Sequence, residues 1–124
     1  MPTILIVEDS KECRDIYATA LRRKGYDVLL AADGAEGIRV ATERRPQLVI
    51  MNISMPLVNG VDAVEVLKAH PATEGVPVLV VTGHSTAPVR EMAWEAGCDE
   101  YLFKPISPAA LTEAVERCLQ EQGA

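Results

Sequence analysis

The sequence predicts an α/β fold, a five-stranded parallel doubly wound sheet with five helices on its two faces. Five short runs rich in Val, Ile and Leu alternate with segments of helical spacing. Three of the runs, 3–7, 47–51 and 76–81, are nearly continuous in apolar residues, as strands covered on both faces read. Right-handed crossovers then place helices on both sides of the sheet. The chain is 124 residues long, which makes one domain, 1–124, with no room for a second.

The elements follow in order. The first strand is Thr3-Ile4-Leu5-Ile6-Val7, and the helical segment 11–24 follows it, closed by Gly25. Its apolar stripe is expected on Ile16, Ala20 and Leu21, with Ala18 off it. The second strand is 27–31. The second helix, 34–45, carries Ile38, Val40 and Ala41 and ends in Arg44-Arg45, charges that suit a helix C-terminus. The third strand is 47–51, and the third helix, 60–69, carries Val61, Val64 and Leu67. The fourth strand is 76–81. The fourth helix, 87–96, contains Met92, Ala93 and Trp94 and stops at Gly97, with Trp94 expected partly exposed. The fifth strand is 101–103. Ser107-Pro108 opens the last helix as N-cap and first helical residue, and Leu111, Val115, Cys118 and Leu119 form its stripe.

Composition excludes several classes. Twelve basic against eighteen acidic residues leave a net charge of −6, so no basic surface is expected for direct nucleic-acid binding or an anionic membrane. No apolar run approaches the ~20 residues a membrane span needs. The N-terminus has no basic region of a secretory signal. Cys13, Cys98 and Cys118 are odd in number and widely spaced, matching neither a disulfide framework nor a zinc site. A reducing cytoplasm is the expected compartment.

In such a sheet the ligand site lies at the carboxyl ends of the strands. Those ends carry Glu8-Asp9, Asn52, Thr82 and Lys104-Pro105. Two adjacent acids call for a hard cation such as Mg²⁺. A lysine ammonium can hold an anion as a point charge, and a threonine hydroxyl can donate to it. Together they form a cradle for a phosphoryl group, but its centre holds an amide in place of a nucleophile. Singly, each residue also has an ordinary reading: acids at a helix N-terminus, a turn threonine, an exposed lysine.

Over residues 3–120 the chain resembles the receiver domains of two-component response regulators. The resemblance rests on Ile4-Leu5-Ile6-Val7-Glu8-Asp9-Ser10, on Met51-Asn52-Ile53-Ser54-Met55-Pro56 with Gly60 beyond, on Val78-Leu79-Val80-Val81-Thr82-Gly83, and on Ala96-Gly97-Cys98-Asp99-Glu100-Tyr101-Leu102-Phe103-Lys104-Pro105. It implies the flavodoxin-like strand order 2-1-3-4-5. It implies that Glu8, Asp9, the side chain at 52 and the backbone carbonyl of Ser54 hold Mg²⁺. Position 52 would be the phosphoacceptor, and Thr82 and Lys104 would contact the phosphoryl oxygens. Tyr101 would report the switch, Ser54 and His84 would tune dephosphorylation, and Lys104–Pro105 would be cis.

The family's acceptor is aspartate, and this chain has Asn52. With the rest of the cradle intact, a single Asp→Asn substitution holding the inactive state, with weakened Mg²⁺ binding, is the first reading. The alternative is a natural pseudo-receiver, a phosphorylation-independent interaction module. The resemblance implies a histidine kinase or phosphotransfer protein as donor. It places an output partner on the face of the fourth helix, fifth strand and fifth helix, and implies a monomer or weak homodimer. The chain would be a single-domain regulator or a receiver from a longer protein. An aspartyl phosphatase would want Asp-x-Asp after the first strand, and Glu8-Asp9-Ser10 does not supply it. A nucleotide or flavin carrier would want a glycine-rich phosphate loop, and neither G-x-G-x-x-G nor G-x-x-x-x-G-K-[ST] occurs. The chain is therefore expected not to be an enzyme.

Overall fold

A computed structural model describes residues 1–53, 59–83 and 87–123. Its elements run β1 (Thr3–Val7), α1 (Lys11–Arg23), β2 (Asp27–Ala31), α2 (Gly34–Arg44), β3 (Leu48–Met51), α3 (Gly60–Ala69), β4 (Val78–Thr82), α4 (Ala87–Ala96), β5 (Glu100–Phe103) and α5 (Pro108–Gly123). The strands form one parallel sheet in the order β2-β1-β3-β4-β5. The expected fold class and strand order are both found.

Two apolar layers cover the sheet. Leu5, Val7, Val49, Met51, Val78 and Val80 point to one face and pack with residues of α2, α3 and α4. Ile4, Ile6, Leu48, Ile50, Leu79 and Val81 point to the other and pack with α1 and α5. The period of two along each strand divides side chains between the layers. Every residue of β3 and β4 is buried, which is why those runs read as continuous apolar sequence. Each large aliphatic side chain so buried contributes roughly 1.5–3 kcal/mol.

Side chains cap the helices. Ser10 Oγ accepts from Cys13 N at 3.3 Å, Asp33 Oδ1 from Glu36 N at 2.8 Å, Asn59 Oδ1 from Asp62 N at 3.0 Å and Ser107 Oγ from Ala110 N at 3.0 Å. Gly25 and Gly97, after α1 and α4, take φ of 95° and 108°, where a Cβ is strained.

The structure corrects several expectations. α1 buries Tyr17, Ala18 and Leu21, whereas Ile16 is 46% exposed. The helical period admits either stripe, and the larger aromatic Tyr17 takes the inward position. α2 ends at Arg44, because Arg45 turns left-handed at φ 47° before Pro46. β4 begins at Val78, two residues later than expected. Pro77 has no N–H for a ladder, and Val76 gives its carbonyl to Lys68 Nζ at 2.9 Å. Asp99 accepts from both Val78 N (2.7 Å) and Lys68 Nζ (2.8 Å), fixing the starts of β4 and β5 together. The expected partial exposure of Trp94 on α4 is found (47%), beside exposed Met92 (52%) and buried Ala93.

All three cysteines are free. Cys98 and Cys118 are buried, and burial above all pushes their thiols up to about 12 and about 11. Cys13 is partly exposed. Since the thiolate is the reactive form, a disulfide reagent such as Ellman's should titrate one thiol rapidly in the native chain and all three in denaturant. A second rapid thiol without denaturant would contradict this packing.

Candidate functional site

β1 and β3 are neighbours in the sheet, so their ends bring Glu8, Asp9 and Asn52 to one rim. Asn52 N donates to Val7 O at 3.0 Å and Glu8 N to Ala31 O at 3.0 Å, which continues the ladder just past the strands. Glu8 is 2% exposed and Asn52 is 6% exposed. A carboxylate this deeply buried must be satisfied.

Both of its oxygens are. Glu8 Oε1 accepts from Lys104 Nζ at 2.5 Å. Glu8 Oε2 accepts from Ser10 N at 3.0 Å and from Asn52 Nδ2 at 3.2 Å. The same Nδ2 donates to Asp9 Oδ1 at 3.0 Å. The amide orientation has a chemical reason: an ionised carboxylate only accepts, so the nitrogen of Asn52 must face the pair. Arg14, which sequence reasoning missed, holds the end of β1 by donating from its guanidinium to Glu8 O at 2.8 Å. The signal that could have found it is its place on the first turn of α1, six positions from Glu8.

β4 and β5 supply the far side. Thr82 ends β4 fully buried, in register with Phe103, and its carbonyl accepts from Lys104 N at 2.9 Å. The Lys104–Pro105 peptide is cis. Tyr101 is partly buried, packs against the layer of α2, α3 and α4, and meets Phe103 edge-on at 5.8 Å. Glu8, Asp9, Asn52 and Lys104 are thus joined by hydrogen bonds, with Thr82 on the strand beside them. Ser54 and His84 lie outside the described residues.

Beside Lys104 runs a groove of about 380 Å³ lined by Cys13, Ile16, Tyr17, Lys104, Pro105 and Ile106. Cys13 Sγ sits 4.0 Å from Lys104 Nζ. Burial, then the nearby Cys13 and Glu8, pushes the Tyr17 phenol up to about 12. Among the described residues no three His, Cys, Asp or Glu side chains form a metal-holding group. The cluster has two carboxylates, with an amide third. No described helix is long and apolar enough to cross a membrane.

The sequence profile of the response regulator receiver domain matches residues 4–116. The chain belongs to the response regulator receiver family. Among curated relatives, this receiver domain is 38% identical over 122 residues to the transcriptional regulatory protein PrrA of Mycobacterium tuberculosis, covering 98% of the chain and 52% of the relative. It is 31% identical over 117 residues to the DNA-binding response regulator MtrA of Mycolicibacterium smegmatis, covering 94% and 50%. The chain therefore spans about half the length of these relatives. Among solved structures, a CheY-like receiver domain protein from Methanospirillum hungatei superposes with a TM-score of 0.93 at 31% identity, covering 99% and 97% of the two chains. The receiver domain of the sensor histidine kinase PA1611 of Pseudomonas aeruginosa, with a magnesium ion coordinated in its active site cleft, superposes with a TM-score of 0.89 at 30% identity, covering 96% and 98%.

Glu8 and Asp9 offer the hard oxygens that Mg²⁺ takes in this family. In this arrangement, however, the third side chain presents an amide N–H pair, which donates and cannot ligate a cation. Among the described residues, the side chains as oriented do not fit a divalent ion.

Proposed function

We propose that this chain is a phosphorelay receiver held unphosphorylated by the amide at position 52. Receivers accept a phosphoryl group from a histidine kinase or phosphotransfer protein, and phosphoryl transfer asks mainly for positioning and electrostatics. Glu8, Asp9, Thr82 and Lys104 supply those. Asn52 lacks the nucleophile, because an amide oxygen is uncharged and attacks phosphorus poorly. The observation that carries this reading is the convergence of Glu8 and Asp9 on the Asn52 side chain and of Lys104 on Glu8, from the ends of β1 and β3 and from just past β5.

On this reading Asn52 is a single Asp→Asn change in an otherwise complete cradle. Thr82 and Lys104 are the phosphoryl contacts, and Tyr101 is the side chain that follows Thr82. The output surface is α4–β5–α5, where Trp94, Met92 and Phe103 are exposed. A partner reads a population shift between two states of that face, and without a phosphoryl group the inactive state dominates. The chain is a signalling module without turnover of its own.

The test is intact mass after incubation with Mg²⁺ and an acyl phosphate, on this chain and on Asn52→Asp. The aspartate form should gain the mass of one phosphoryl group and the Asn52 form none. If neither gains it, the cradle is not a phosphoacceptor, and the domain acts as a phosphorylation-independent interaction module.

A further inference from the structure

We propose that the Asn52 amide is a built-in substitute for the divalent cation: it bridges Glu8 and Asp9 and closes the acidic pair to Mg²⁺. The inference rests on the receiver reading and deepens it, because it concerns how that same site is regulated.

The nitrogen of Asn52 lies 3.2 Å from Glu8 Oε2 and 3.0 Å from Asp9 Oδ1. Its two hydrogens thus answer two carboxylates, which is the electrostatic task a shared cation performs between them. Hydrogen bonds to charged acceptors are stronger than neutral ones. The Glu8–Asn52 half of the bridge is sheltered, both residues being almost wholly buried, while Asp9 at its other end is exposed. The other Glu8 oxygen is held by Lys104 Nζ, so the buried carboxylate is compensated without any ion. For position 52 to serve as a ligand to Mg²⁺, the amide must turn its oxygen inward and break both bonds.

Two explanations of weak Mg²⁺ binding then part company. If only the missing negative charge matters, Asn52→Ala binds Mg²⁺ no better than Asn52, because alanine also removes the amide oxygen as a ligand. If the amide bridge blocks the site, removing it frees Glu8 and Asp9, and Asn52→Ala binds better.

The experiment is calorimetric titration of metal-free protein with Mg²⁺, with thermal unfolding in a chelator and in Mg²⁺ alongside. Asn52→Ala should bind about tenfold more tightly than the Asn52 chain, and Asn52→Asp more tightly still. The unfolding midpoint of the Asn52 chain should move by less than about 1 °C between chelator and Mg²⁺, and that of Asn52→Ala by more. Asn52→Ser is the second variant. One hydroxyl hydrogen cannot bond both carboxylates at once, so it too should gain response to Mg²⁺. Equal or weaker Mg²⁺ binding by both Asn52→Ala and Asn52→Ser would overturn the proposal. Phosphorylation of Asn52→Asp would in that case still support the receiver reading, so the two can fail separately.

Discussion

With divalent ions chelated, Asn52→Asp is expected to be less stable than the Asn52 chain by roughly 2–4 kcal/mol. Two terms have the same sign. The substitution deletes both amide hydrogen bonds, to Glu8 and to Asp9. It also puts a third carboxylate about 3 Å from the other two, where unit charges at the effective dielectric of a protein surface repel by several kcal/mol. Lys104 already pairs with Glu8 and offsets only part of this. Proton uptake by one carboxyl caps the cost, as in other carboxylate clusters. Urea unfolding in a chelator measures the difference. An aspartate form of equal or greater stability would mean that the amide does not relieve repulsion between Glu8 and Asp9. Adding Mg²⁺ should narrow the gap, since an ion bound only by the folded state stabilises it in proportion to the logarithm of its concentration.

Gly60→Ala should cost about 3 kcal/mol or more. A Cβ at Gly60 would stand 2.2 Å from Asn52 O, 2.6 Å from Ile53 Cα and 2.9 Å from Asn52 C. All three are backbone atoms, so no side-chain rotation relieves the clash. Gly60 N also donates to Ile53 O at 2.9 Å, which ties the first turn of α3 to the chain just after β3. Relief requires either α3 to lift, dragging buried Val61, Val64 and Leu67 from the core, or the Asn52–Ile53 backbone to move and misplace the amide. Gly75→Ala is the internal control, because its Cβ would meet nothing within 4 Å. It should change stability by no more than about 0.5 kcal/mol. Similar unfolding midpoints for the two variants would contradict the close approach at Gly60.

Much of the fold is legible in the sequence, for identifiable reasons. β1 and β2 match their expected bounds, because Thr3–Val7 and Asp27–Ala31 sit between turn signals and the loss of apolar pattern. The inward face of α1 is not legible, because Ile16 and Tyr17 are adjacent and the period of 3.6 does not choose between them. Nor is the start of β4, because Val76 is as apolar as a strand residue, while its carbonyl is committed to a lysine on α3. Gly60 is visible as a glycine after the third-strand loop, but nothing local shows that a backbone lies against it.

Fold class and the residue types at the strand ends, the amide at 52 included, can be read from the chain's linear order. They follow from hydrophobic period, turn residues and short motifs, all of which act over a few positions. Three-dimensional packing was needed to show that Glu8 is buried, that Lys104, 96 positions away, neutralises it, and that the Asn52 nitrogen bridges partners 43 and 44 positions away. The register of β1 against β3 and the seating of Lys104 beyond β5 set those contacts. A side chain's orientation follows from the acceptors the fold brings to it, which its neighbours in sequence do not specify.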